Sequence, residues 1–179
     1  MKVAPGAIGR KLALAASRGL GMRVAAFDSL GLRELASRAG LSEREFLGRY
    51  GLELCTTDFR EFAGSLDVLS IHLPVTSGTR RFFDAAHLAL LPPSALLVNT
   101  GRGALVDEAA LFDALSSGRL AAAALDVFET EPYVPVAPDK DLRRLPNVVL
   151  TPHVASNTQE ANRRIQAAVL ENIRCFLAG

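Results

Sequence analysis

"VAPGAIGRKLALAASRGLGMRVAAFD", residues 3–28, is the stretch on which the fold turns. A short β-rich run meets a turn holding Gly6 and Gly9, an apolar-periodic helical stretch follows, and a second β-rich run, "MRVAAFD", ends on Asp28. Strand, glycine turn, helix and strand in that order make a βαβ unit, whose two strands lie parallel in one sheet.

The turn departs from the G-x-G-x-x-G pattern at its first position, which is Ala4; the glycines at 6 and 9 are in place. Gly6 lets the backbone come close to a pyrophosphate, Gly9 lets the helix pack tightly on the strand, and the N–H groups opening the helix carry the phosphate charge. Pro5 biases Ala4 toward extended geometry and away from positive φ, which weakens the expected hold on a cofactor. "GAIG" by itself reads equally as a plain glycine turn. Asp28 tips the balance: it lies 22 residues beyond Gly6 at a strand end, where a carboxylate accepts hydrogen bonds from ribose hydroxyls and repels a 2′-phosphate. The pattern therefore favours NAD over NADP.

Beyond residue 28 the alternation continues. "DVLSIHL" (67–73), "ALLVNT" (95–100), "AAAALDVF" (121–128) and "NVVLT" (147–151) join "MKVA" and "MRVAAFD" as six candidate strands. Helical stretches lie at "IGRKLALAASRGL" (8–20), "LRELASRAGLSEREFLGRYG" (32–51), "DEAALFDALSSG" (107–118) and "TQEANRRIQAAVLENIRCFLA" (158–178). The expected fold is α/β, a Rossmann-type doubly wound parallel sheet in three layers, with residues 1–179 as one domain. Strands nearly continuous in Val, Ile, Leu and Ala imply cover on both faces of the sheet. In "SNTQEA" Asn157 is the expected cap of the last helix, with Glu160 three residues on completing a capping box.

Composition narrows the function classes. Lys and Arg total 20 against 19 acids in 179 residues, a net charge of +1, so nothing marks a nucleic acid or an anionic membrane as partner. The most apolar stretch, "AHLALLPPSALLVN", is broken by two prolines and falls well short of the roughly 20 residues of a spanning helix. Cys55 and Cys175 are far apart, in no metal-ligand spacing, and no secretory signal precedes them. A reduced, cytoplasmic chain without a metal is the expectation.

Three loop residues complete a candidate constellation. Arg102 lies between two glycines in "VNTGRGALVDEAAL", directly after a buried strand, where its planar fork suits a carboxylate. Glu131 precedes a proline in "ALDVFETEP", and His153 follows the last strand in "LTPHVASNTQEA". Singly, each reads as well as a solvated or structural side chain. Together they match the needs of hydride reduction of a 2-oxo acid: a cation for the carboxylate or carbonyl, an acid near pH 7 for the developing alkoxide, and a carboxylate to orient the imidazole. The other two histidines carry less: His87 is expected at the surface, and His72 in a packing role beside the cofactor path.

From about Val3 to its end the chain resembles the nucleotide-binding domain of the D-isomer-specific 2-hydroxyacid dehydrogenases, through "GAIGRKLA", "GMRVAAFD", "DVLSIHLPVTSGTR", "LLVNTGRGALVDEAAL", "AALDVFETEP" and "NVVLTPHVASNTQEA". The resemblance implies an NAD-dependent oxidoreductase acting on a small D-2-hydroxy or 2-oxo acid, with Arg102, Glu131 and His153 as the catalytic set. It implies cofactor contacts at Gly6, Ala7, Ile8 and Gly9 in the turn, Asp28 on the ribose, and Leu73, Pro74 and Thr79 along the exit of the third candidate strand. Further contacts are implied at Thr100, Gly101, Arg102 and His153 near the nicotinamide, and at Asp126 on its carboxamide. Family members usually form homodimers through this domain, and they carry a substrate domain that these residues do not include. Met1 cuts the first strand to about three residues, so a fragment with low activity alone is expected. The alternatives are a noncatalytic, NAD-responsive module like the family's corepressors, and an inactive remnant.

Overall fold

The sheet is wholly parallel. The computed structural model describes the backbone of residues 2 and 3 and the whole of residues 6–177. Ala4 and Pro5, with the expectation attached to them, lie outside the described residues, as does Met1. Seven strands run in the order β3-β2-β1-β4-β5-β6-β7: β1 Lys2–Val3, β2 Ala25–Phe27, β3 Leu54–Thr56, β4 Val68–Ile71, β5 Leu96–Asn99, β6 Ala122–Leu125 and β7 Val148–Leu150. Strands are added toward one edge up to β3 and toward the other from β4 on, so the connections leaving β1 and β4 diverge and open a crevice at their carboxyl ends.

The α/β doubly wound architecture is as the sequence predicts, with one more strand than expected. β3 is a three-residue run, Leu54-Cys55-Thr56, too short to show a period of its own; it forms because β2 offers a free edge at Ala25, Ala26 and Phe27. The expected single helix over 32–51 is two. Gly40 at φ +65° ends α2 (Leu32–Arg38), and a capping box between Ser42 and Glu45 starts α3 (Glu43–Tyr50). α1 (Ala7–Leu14) passes into a π-helical turn over Ala15–Gly19. α4 (Arg60–Ala63) and α5 (Ala85–Leu88) are single turns, α6 runs Glu108–Ser116, and α7 runs Gln159–Leu177. Thr158, not Asn157, caps α7: its hydroxyl accepts the N–H of Ala161 at 3.1 Å, and Asn157 bonds the side chain of Asn162 instead.

The buried side chains fall into two clusters. One gathers Ala13, Ala16, Val24, Ala26, Leu35 and Phe46 beneath α1–α3; the other joins Leu69, Ile71, Leu97, Leu105, Leu111 and Leu125 beneath α5 and α6. The expected cover on both faces holds less well toward β7. Leu96 is 42% exposed and Val149 63%, and α7 buries none of its described residues. Among the described residues no helix is long and apolar enough to cross a membrane, and no group of His, Cys, Asp or Glu is placed to hold a metal ion.

Candidate active site

Three loops leave neighbouring strands at the carboxyl edge of the sheet, and each carries one member of the expected constellation. The loop after β5 carries Arg102. Asn99, buried at the strand's last position, accepts the N–H of Gly101 at 3.1 Å and donates to the carbonyl of Arg102 at 2.9 Å. Its amide fixes the loop from both sides of the peptide chain. Arg102 itself is exposed, and its Nη1 donates to the carbonyl of Gly101 at 2.7 Å.

Gly103 explains why the next residue has no side chain. A Cβ there would lie 1.9 Å from the carbonyl carbon and oxygen of Phe128, on the loop after β6. The two loops touch backbone to backbone, and Arg102 is thereby held beside the segment that carries Glu131.

His153 stands on the loop after β7 at φ +52°, a left-handed conformation that non-glycine residues adopt at a cost and that tertiary contacts must maintain. Asp126 supplies those contacts. Only 3% exposed, it accepts the Thr151 hydroxyl, the N–H of Val154 at 2.9 Å and the N–H of Ala155 at 2.9 Å, so its carboxylate brackets the histidine. Burial pushes the Asp126 carboxyl up, but these three hydrogen bonds outweigh it and hold the group below its ordinary value. The carboxamide contact implied for Asp126 falls on a carboxylate already engaged by this loop.

His153 Nδ1 lies 2.7 Å from Oε2 of Glu131. An ionised carboxylate is acceptor only, so Nδ1 is the donor and the other ring nitrogen, Nε2, is left for chemistry. Glu131 is oriented in turn by the Phe128 N–H on its Oε1 at 3.1 Å. The hydrogen bond from His153 holds the Glu131 carboxyl below its usual range, and the charge of Arg102 adds to this. A cavity of about 410 Å³ beside the pair is lined by Phe128, Glu131, Pro132, Tyr133, Pro152 and His153.

Most of the residues expected to contact a cofactor line a second cleft. A cavity of about 560 Å³ is lined by Gly6, Ala7, Ile8 and Gly9 on one side and by His72, Leu73, Pro74, Val75, Gly101 and Arg102 on the other. No side chain caps the start of α1, so its first N–H groups are available to an anion, and open space surrounds the position of a Cβ on Gly6. Asp28 directly follows β2, two strands from β4, with Oδ1 turned to Ser29 and the N–H of Leu30, and no hydrogen bond on Oδ2 among the described residues. This set of donors, a Cβ-free turn and a strand-end carboxylate fits a dinucleotide. Thr79 stands apart from the cleft lining: it donates to the carbonyl of Pro74 at 2.6 Å and accepts the N–H of Thr76, shaping the loop that carries Leu73 and Pro74. Thr100 is exposed at the end of β5.

His72 departs from a plain packing role. It lines the cleft, its Nε2 is 2.9 Å from the Ser70 hydroxyl, and burial holds its pKa below the ordinary imidazole value. Sequence reasoning passed over Asn99 and noted Gly103 only as a neighbour of Arg102; the contacts of the folded loops alone assign them a task. His87 is half-buried, bonded through Nδ1 to Asp84 and tilted against Phe82.

Comparison with known proteins agrees with this fold. Residues 3–155 match the family described as D-isomer specific 2-hydroxyacid dehydrogenase, NAD binding domain. The chain is 37% identical over 174 residues to a glyoxylate reductase of Thermococcus litoralis, covering 97% of this chain and 47% of that protein. It is 50% identical over 113 residues to a glyoxylate reductase of Aeropyrum pernix, covering 63% of this chain and 33% of that one. Among solved structures, D-mandelate dehydrogenase of Rhodotorula graminis superposes with a TM-score of 0.81 at 30% identity, covering 96% of this chain and 46% of the other. An NADPH-dependent glyoxylate/hydroxypyruvate reductase of Sinorhizobium meliloti, in complex with NADP and malonate, superposes with a TM-score of 0.79 at 33% identity, covering 98% and 49%. The chain thus spans less than half the length of these curated relatives.

Proposed function

The chain belongs to the D-isomer specific 2-hydroxyacid dehydrogenases, as their NAD-binding domain, and on that premise we propose that residues 1–179 form the cofactor domain of an enzyme that interconverts a small D-2-hydroxy acid and its 2-oxo acid. The observation that carries the reading is the 2.7 Å His153–Glu131 hydrogen bond, on loops that leave β6 and β7, the two strands after the one whose loop sets Arg102 in the glycine-walled cleft.

NAD(H), when bound, supplies or accepts the hydride. Gly6, Ala7, Ile8 and Gly9 would hold its pyrophosphate, Asp28 its ribose, and Leu73, Pro74, Gly101 and Thr100 its further length. Asp28 favours NAD, since a carboxylate there repels a 2′-phosphate. Arg102 binds the substrate carboxylate or carbonyl through its fork and stabilises negative charge growing on oxygen. His153 holds at Nε2 the proton that this oxygen takes up in reduction and receives it in oxidation. Glu131 keeps the ring oriented through Nδ1, and Asp126 keeps the histidine on its loop. We further assign the protein a homodimeric state through this domain, supported by the exposed Ile165, Val169, Ile173 and Phe176 on α7, and a cytoplasmic setting, supported by two free cysteines.

The test is NADH oxidation by the purified chain with glyoxylate, hydroxypyruvate or pyruvate, beside a His153→Gln variant. Loss of the general acid lowers turnover by about 10²–10⁴-fold while NADH binding survives. A variant that keeps parental turnover removes His153 from the mechanism, and absence of NADH binding by the parent removes the cofactor reading.

A further inference from the structure

Arg81 belongs to none of the expected motifs, yet it touches two of the three loops that build the site. It sits at φ +50°, in the left-handed region that favours glycine and asparagine. Its N–H donates to the carbonyl of Ala104 at 2.8 Å, two residues past Arg102. Its Nη2 donates to Oε2 of Glu129 at 2.7 Å, two residues before Glu131.

Glu129 passes the connection on. Its Oε1 accepts the N–H of Glu108 at 3.0 Å, and its own N–H donates to Oε1 of Glu108. Glu108 is 3% exposed and its second oxygen is buried without a partner among the described residues, so the lock between α6 and the loop after β6 leaves it no alternative bond. The adjoining Phe128 N–H then orients Glu131, which holds His153.

We propose that Arg81 is a positioning residue, a strap that joins the loop bearing Arg102 to the loop bearing Glu131 and so sets the distance between the cation and the imidazole–carboxylate pair. Its functional weight rests on the roles given above to Arg102 and Glu131. With a side chain 55% exposed, the Arg81–Glu129 bridge adds little to global stability, so its effect is local. That separates a strap from an ordinary stabilising contact.

The experiment uses Arg81→Asn, which tolerates the left-handed backbone but has no reach to Glu129, and Arg81→Lys, which keeps the charge without the fork. Amide hydrogen exchange followed by NMR reports the Phe128 and Glu129 N–H groups directly. In Arg81→Asn both should exchange about tenfold faster while the amides of β4–β6 keep their protection and the melting temperature stays level or rises; Arg81→Lys falls between. Turnover should drop with the KM for NADH unchanged. Parental exchange at Phe128 and Glu129 overturns the proposal. So does protection lost evenly across the sheet with a lower melting temperature, which would make Arg81 a stability residue. If the parent reduces no 2-oxo acid, the proposed function fails, yet the exchange data still decide whether the strap exists.

Discussion

Replacing Gly103 by alanine tests whether the loops of Arg102 and Glu131 are held in contact. The added Cβ would lie 1.9 Å from the carbonyl carbon and oxygen of Phe128 and 2.5 Å from its Cα, where ordinary contact begins at 3.4 Å. One loop must retreat by about 1.5 Å, and because the obstacle is backbone, no rotamer change can absorb it. Overpacking of this kind costs about 3 kcal/mol. In a domain of this size each kcal/mol moves the melting temperature by about 2–4 °C, so a fall of about 6–12 °C is expected. The same displacement separates Arg102 from the His153–Glu131 pair, and misplacement by about 1 Å lowers turnover by about 10²-fold. Circular dichroism melting and steady-state NADH oxidation measure the two effects. A Gly103→Ala protein that melts within about 2 °C of the parent would show that the loops are not packed as described.

The contrasting change is Gly6→Ala. Its Cβ meets open space at an ordinary φ of −63°, so stability should stay within about 0.5 kcal/mol, while the methyl in the cleft raises the NADH Kd about tenfold or more, readable by titration calorimetry. Asp126→Asn puts a donor against the Ala155 N–H and should cost about 1–3 kcal/mol at pH 7. Because the native carboxyl titrates below its unfolded value of 3.8, its contribution is present above that pH and is lost as pH falls through the native value. The gap between parent and variant therefore narrows in acid; a constant gap from pH 7 down to about 2.5 would contradict it. Glu108 has the opposite sign. Burial raises it above the unfolded 4.5, so its contribution is full below 4.5 and is lost as pH rises through the native value; Glu108→Gln should flatten that decline in melting temperature.

Much of the architecture was legible because the signals are local. Gly6 and Gly9 in the first turn, the strand ending on Asp28, and the strand–helix alternation each depend on residues within one or two elements. β3 escaped because three residues carry no period and the strand exists only by pairing with β2. The division of the second helix was written in Gly40 and in the spacing of Ser42 and Glu45, but a continuous apolar pattern across them masked it.

The site divides along the same line. Sequence by itself determined the candidates proposed for the chemistry, Arg102, Glu131 and His153, through their residue types taken together and the motifs that carry them. Tertiary structure alone decided what holds them: Asp126 reaching 25 to 29 residues forward to Thr151, Val154 and Ala155, Arg81 reaching 48 residues to Glu129, and Gly103 meeting the backbone of Phe128. Parallel strands bring their carboxyl ends to one edge whatever the length of chain between them, so contacts among those ends follow the order of strands in the sheet and leave no spacing in the sequence to be found.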